Sequence, residues 1–328
     1  MDFPGPWIRN QALVIAFPLI ETEATPLVAA LFFGVFGLVV GSFLNVAIYR
    51  LPKEGMSVWR PLRSHCPRCA HELAWYENVP VLSWVIQGAR CRSCRGTISA
   101  RYPLVELLTG ALWALAAWMA PSVSLALVHV LILSGLIVAT FVDLDCFEIP
   151  DEVSIGGMVV APLLSFLLPE IHAETWIASQ LSTPAEGGTV DAGGAFLASL
   201  TGMAAGGGVL LWIGWLGKKL FGRDAMGLGD VKLLAAAGGF IGPGGVLMAL
   251  FIGSLLASVS GVLNIARFFC LIRLRARVRK ARKNALRTLQ AARIAGRYLP
   301  FGPYLSLGVG IVLVDWKDVV QLLERFVF

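Results

Sequence analysis

Two sets of residues in this 328-residue chain have the types and spacing to do chemistry. The first is a pair of cysteine knuckles, Cys66-Pro-Arg-Cys69 and Cys91-Arg-Ser-Cys94, with 21 residues between them. Each C-x-x-C turn brings two sulfurs to one side, and two such turns complete a tetrahedron of four thiolates. That is the donor set of a structural zinc site, with no position left open for catalysis. A disulfide or redox pair is the competing reading, and His65 and His71 are substitute ligands. The second set is acidic. Asp143, Asp145, Glu148 and Asp151 lie where one apolar run ends and the next begins, and Asp230 follows Gly227-Leu-Gly at the start of a small-residue run. Carboxylates at a membrane boundary are costly unless paired or functional. Asp143 lies deepest in its apolar run, and Asp151, after Pro150, reads as a helix N-terminal residue. Two carboxylates sharing one water share a proton, so that one serves as base toward the water and the other as acid toward a peptide carbonyl. There is no G-x-S-x-G and no H-E-x-x-H to support serine or metal hydrolysis.

These residues need a membrane scaffold to hold them. The chain is 57% apolar and 15% charged, with a mean hydropathy of +0.74, outside the range of soluble domains. Apolar stretches recur near 26–46, 103–119, 123–142, 153–168, 195–216, 231–243, 245–266 and 302–314, most of them long enough to cross about 30 Å of hydrocarbon. The expected fold is an all-α polytopic membrane protein of about eight transmembrane helices. A short N-terminal stretch, Ala12–Ile20, reads as an interfacial segment.

Basic residues orient this arrangement. Nine Lys or Arg fall in 50–101, four in 218–232 and eleven in 267–297, while none lies between Arg101 and Lys218. Basic loops stay cytoplasmic, so these segments and the 143–152 turn share the cytoplasmic face, and Asp143 and Asp230 come to the same side. The expected domains are an N-terminal segment and first helix (1–50), a small cytoplasmic zinc-binding domain inserted after that helix (51–101), and a helical membrane domain (102–328). The last carries an outer loop at 169–194 and a basic cytoplasmic insert at 271–298. That insert suits anionic lipid or simple enforcement of topology. The net charge of +6 follows from topology and implies no nucleic acid. Residues 315–328 read as an amphipathic helix on the outer surface.

Over most of its length the chain resembles the bifunctional prepilin peptidases, or type IV leader peptidases. The matching stretches are Gly41-Ser-Phe-Leu-Asn-Val-Ala-Ile-Tyr-Arg-Leu-Pro52, the four cysteines, Trp75–Trp84, Ile98–Leu108, the 141–151 segment, Gly227–Leu234 and Pro300-Phe-Gly-Pro-Tyr304. The resemblance implies that Asp143 and Asp230 are the catalytic aspartates of a GxGD-type membrane aspartic peptidase, Asp143 being preferred over Asp145. It also implies a bacterial inner-membrane enzyme with its active site facing the cytoplasm. Such an enzyme cuts prepilins and type II secretion pseudopilins after a glycine, then N-methylates the new terminus with S-adenosylmethionine. The methyl-donor site is placed only by the resemblance, in the N-terminal and zinc region, with Gly41, Asn45, Arg50 and Glu106 as candidates. Gly41 reads equally well as helix packing and Arg50 as helix-end positioning. The loops 169–194 and 271–298 look longer than the family norm, and Asp224 stands where a glutamate is expected. A peptidase without methyltransferase activity is the nearest alternative. A transporter also buries carboxylates beside glycine-rich segments, but it places them at the bilayer midplane rather than at one face.

Overall fold

The computed structural model describes residues 26–53, 55–60, 63–173, 190–222, 226–278 and 299–314. The expected interfacial segment 12–20, the centre of the outer loop, Asp224, most of the basic insert and the C-terminal amphipathic helix lie outside these residues. Among the described residues the protein is helical, with isolated β-bridges and no named strand. The helices are α1 (Pro26–Arg50), α2 (Leu82–Ile86), α3 (Arg101–Met119), α4 (Val123–Cys146), α5 (Asp151–Leu167), α6 (Ala192–Phe221), α7 (Leu228–Val278) and α8 (Gly302–Val314). All eight apolar stretches are therefore helical. Five helices are long and apolar enough to cross a membrane, namely α1, α3, α4, α6 and α7; α5 and α8 are shorter.

Local chemistry sets the ends of these helices. Ser122 caps α4, its side chain accepting the Leu125 N–H at 3.2 Å, and the helix stops where Phe147 turns left-handed at φ 57°. Asp191 caps α6 by accepting the Gly194 N–H at 2.7 Å, and Gly222 closes it at φ 66°. The long α7 breaks at Gly242, φ 70°, ahead of Pro243, a ring that cannot continue the hydrogen-bond ladder. The break reverses the chain. A Cβ on Gly206 of α6 would meet both the Leu234 carbonyl carbon at 2.9 Å and Val246 Cγ2 at 3.0 Å. Along a straight helix those two residues would stand about 18 Å apart, so the arms 228–241 and 243–278 fold against each other at Gly242.

In a lipid environment helices gain little from hiding apolar surface from one another, so small residues that allow close backbone approach hold them together. Here α6 crosses α7 at Gly202 and Gly238, where a Cβ on either would collide with the other's carbonyl, and α8 crosses α7 at Gly308 and the Ala249 carbonyl. α1 meets α3 at Gly37 and Gly110, 2.9 Å from a Cβ on Gly37. Large apolar side chains point outward from the bundle instead, among them Phe32, Val35, Phe36 and Val39 on α1.

Candidate active site and metal centre

Asp143 lies in the last turn of α4 and is buried, 5% exposed. Its Oδ2 accepts the backbone N–H of Gly302, the first residue of α8, at 2.9 Å. A side chain there would push this carboxylate aside, because a Cβ on Gly302 would stand 2.6 Å from that same oxygen. Asp230 lies in the first turn of α7. Ile149 packs between the two approaches: it lies 3.2 Å from a Cβ on Gly229 and 3.3 Å from one on Gly302. The ends of α4, α7 and α8 thus bring two carboxylates to one place, with a backbone donor fixing the first.

Two of the neighbouring acids are already engaged. Asp145 is exposed and is gripped by Arg101, whose Nη1 donates to both carboxylate oxygens at 2.8 and 2.5 Å while Nη2 donates to the Phe141 carbonyl at 3.1 Å. Asp151 pairs with Lys232 Nζ at 2.6 Å, which ties the start of α5 to α7 beside Asp230. Of the acids in the 141–151 segment, Asp143 alone is buried.

The four cysteines converge as their spacing predicts, with all sulfurs within 4.8 Å of one another. Cys66 and Cys94, and likewise Cys69 and Cys91, are 3.9 Å apart, so the knuckles interleave rather than stack. Tetrahedral zinc with bonds of ~2.3 Å sets sulfurs about 3.8 Å apart, and the cluster fits such an ion. The knuckles share one construction. The N–H of the first cysteine donates to the carbonyl five residues on (Cys66 to His71, Cys91 to Gly96), and the residue four after it turns left-handed, Ala70 and Arg95 each at φ 56°. The sulfurs are not disulfide-bonded.

Beside this cluster a cavity of about 330 Å³ opens between the ends of α1 and α3 and the cysteine region. Its walls include Asn45, Arg50 and Glu106, three of the four residues singled out for the methyl donor. Asn45 Nδ2 donates to the Tyr102 carbonyl at 3.0 Å, Arg50 Nη1 to the Val58 carbonyl at 3.0 Å, and Glu106 Oε2 accepts the Val81 N–H at 2.7 Å. Gly41 does not line the cavity. A Cβ there would meet Glu106 Cα at 2.8 Å, so this glycine lets α1 press against α3. The wall also carries Glu77, Gln87 and Trp84, which sequence reasoning did not single out. Glu77 is buried, and the Ala74 N–H, against the opposing cost of burial, holds its carboxyl below the usual glutamate range.

The bacterial peptidase A24 N-terminal domain matches residues 35–120, and the type IV leader peptidase family matches residues 130–262. A prepilin leader peptidase/N-methyltransferase of Aeromonas salmonicida is 33% identical over 310 residues, 87% of this chain and 90% of its own length. The chain belongs to the type IV leader peptidase family. A second member, the prepilin leader peptidase/N-methyltransferase of Pseudomonas aeruginosa, is 30% identical over 329 residues, 92% of this chain and 96% of its own length. The Myxococcus xanthus protein of the same description is 40% identical over 235 residues, but that alignment spans 62% of its length. No solved structure matches the chain. Within the family's matched segments fall both aspartates in one case, and all four cysteines with Gly41, Asn45, Arg50 and Glu106 in the other. Gly302 lies beyond both matches, within the Pro300-Phe-Gly-Pro-Tyr304 stretch at the start of an apolar run.

Proposed function

We propose that this chain is a multi-pass inner-membrane aspartic endopeptidase that removes the leader of type IV prepilins and type II secretion pseudopilins. The observation that carries this reading is the meeting of Asp143 and Asp230 beside the Gly302 N–H in a member of the leader peptidase family. The two carboxylates hold one proton between them. The ionised one takes a proton from a bound water as that water attacks the scissile carbonyl. The protonated one hydrogen-bonds the carbonyl oxygen as it gains charge, and the protons then pass to the departing amine. Gly302 keeps the Asp143 carboxylate from rotating out of line, while the Arg101 clamp keeps Asp145 out of the reaction. Cleavage after glycine, on the cytoplasmic face, follows from the family and from the basic loops. The same loops favour eight crossings with both termini outside, and the domains 1–50, 51–101 and 102–328. The basic segment 271–298 then lies at the cytoplasmic surface, where lipid rather than nucleic acid is its counterpart.

The relatives' name couples leader removal to N-methylation, and the second activity is assigned to the cavity beside the cysteines. Zinc held by Cys66, Cys69, Cys91 and Cys94 supplies a closed cross-link there and no reactive position. S-adenosylmethionine supplies an activated methyl group on a sulfonium. A cavity of about 330 Å³ is within the range of small-molecule sites, and the Glu106 carboxylate with the Trp84 ring suits a cationic, aromatic guest. Asn45 and Arg50 shape the cavity's membrane-side wall through their backbone contacts.

The test is cleavage of a prepilin peptide, basic leader followed by Gly-Phe, by the detergent-purified protein and by Asp143→Asn and Asp230→Asn. Loss of cleavage in both, with zinc retained, supports the pair. Full cleavage by either removes that residue and returns Asp145 to consideration.

A further inference from the structure

The cysteine region carries an apolar surface that no described residue covers. Along α2, Ser83 and Trp84 line the cavity, whereas Leu82, Val85 and Ile86 face outward, Ile86 with 75% of its surface exposed. Trp59 is 71% exposed. Apolar side chains gathered at a surface in this way mark an interaction site.

Their depth follows from the helices they touch. α1 and α3 pair with Gly41 against Glu106 and with Asn45 bonded to the Tyr102 carbonyl, so Arg101 stands level with residue 46, where the apolar run of α1 ends. The run 26–46 is about 31 Å long, the thickness of the hydrocarbon, and its cytoplasmic boundary therefore lies at this level. Val81, immediately before α2, donates its N–H to Glu106, a side chain rooted five residues, or about 7.5 Å, along α3 from Arg101 toward the bilayer centre. Trp59 gives a second marker. Arg50 Nη1 donates to the Ser57 and Val58 carbonyls and draws the chain back beside α1, where the Trp59 ring packs on Phe43 with centroids 5.7 Å apart. Phe43 lies three residues, about 4.5 Å, inside the end of the apolar run. Helices that lie in a membrane interface sink their apolar face about 5–10 Å into the boundary between headgroups and acyl chains, and both markers fall in that range.

Charge selects the occupant. Residues 51–100 hold seven Lys or Arg against three Glu, and Glu77 is buried while Arg60, next to Trp59, is exposed. That balance attracts anionic headgroups and repels the basic leader of a prepilin. We propose that α2 and Trp59 form an interfacial anchor, seated in the cytoplasmic leaflet with Leu82, Val85, Ile86 and the Trp59 ring among the acyl chains of anionic phospholipid. The cysteine region then rests on the membrane instead of standing free in the cytoplasm, and lipid lies behind the part of the cavity wall that α2 builds. This rests on the membrane topology given above, which labelling of α1 checks separately.

The experiment uses the full-length, unmutated protein in vesicles of phosphatidylethanolamine and phosphatidylglycerol. A fraction of the phosphatidylglycerol carries a diazirine on the upper part of its acyl chain, and adducts formed on irradiation are mapped by peptide mass spectrometry. Residues 82–86 and Trp59 should be labelled as strongly as Phe36 and Val39 on the outward face of α1, and labelling should be lost over 63–72, where Arg63 and Glu72 pair on the surface. Phosphatidylcholine bearing the same diazirine should label 82–86 about fivefold less, the equivalent of ~1 kcal/mol for one basic residue near the headgroups. Labelling of 82–86 no stronger than that of 63–72 would overturn the anchor while leaving the topology standing. Equal yields from the two lipids would overturn its assignment to anionic lipid. Displacement of the 82–86 adducts by excess prepilin peptide would overturn it in favour of the substrate. Absence of adducts on α1 as well would remove topology and anchor together.

Discussion

The region between α1 and α3 and the bundle formed by α4 to α8 are stabilised in opposite ways. Between residues 51 and 100 the buried residues are Cys66, Cys91 and Glu77 among those described, while Trp59, Trp75, Leu82, Val85 and Ile86 are exposed. A segment of that size without an apolar core needs a cross-link, and the four sulfurs are placed to form one around a metal ion. The bundle has no such clasp. It relies on glycines that bring backbones into contact at α6–α7 and α7–α8, with Leu210, Leu234, Val246, Leu305 and Val309 filling the remainder. One region is held at a single point and the other along whole helices, so damage to each should differ in kind.

Several measurements test that contrast, the largest expected effect first. Asp143→Asn or Asp230→Asn should lower prepilin cleavage by about 10²- to 10⁴-fold, the usual worth of a positioned acid or base, while zinc content stays unchanged. Gly302→Ala should cost on the order of 10²-fold in cleavage rate, since a methyl beside Asp143 Oδ2 must displace the carboxylate by a fraction of an ångström or more. Methylation of a pre-cleaved peptide should be spared by that change. Cys66→Ser, or removal of metal by a strong chelator, should have the reverse pattern: methylation and protease resistance of 51–100 lost, cleavage retained in large part. If chelation abolishes both activities equally, the two regions are not independent. Gly206→Ala should lower bundle stability by about 1–3 kcal/mol in a thermal-unfolding assay, because the helices must move apart to admit the Cβ. Asp145→Asn should have the smallest effect, with cleavage within a few-fold of wild type, since its partner Arg101 is partly exposed and such pairs contribute up to about 1 kcal/mol.

Much of this was legible in the sequence because the chemistry repeats locally. The cysteine cluster follows from two identical knuckles, and the helical stretches follow from runs of apolar residues between basic loops. The convergence of Asp143 and Asp230 was readable only as two acids on one face; the setting of Asp143 depends on α8, whose glycine supplies the N–H from 159 positions along the chain. No local pattern signals that. Arg101 was read as the last of a basic cluster, yet it neutralises Asp145 across α3 and α4. Glu77 and Gln87 were not singled out, since only the folded segment brings them to the wall of one cavity. Gly41 was grouped with the donor-site candidates because its sequence neighbours match the family, whereas its surroundings are the flank of α3.

The reversal at Gly242 has a consequence for the surrounding lipid. The arm 228–241 is about 21 Å long at ~1.5 Å per residue, short of a ~30 Å hydrocarbon layer. Its first turn holds Asp230. Hydrophobic mismatch concentrated on one side of the bundle thins the bilayer there. The aspartates then lie at the floor of a shallow dimple, where water reaches them and a membrane-anchored substrate need not leave its own helix to be cut. On this view cleavage should slow as the acyl chains of reconstituting lipid are lengthened, and a rate indifferent to bilayer thickness would count against it.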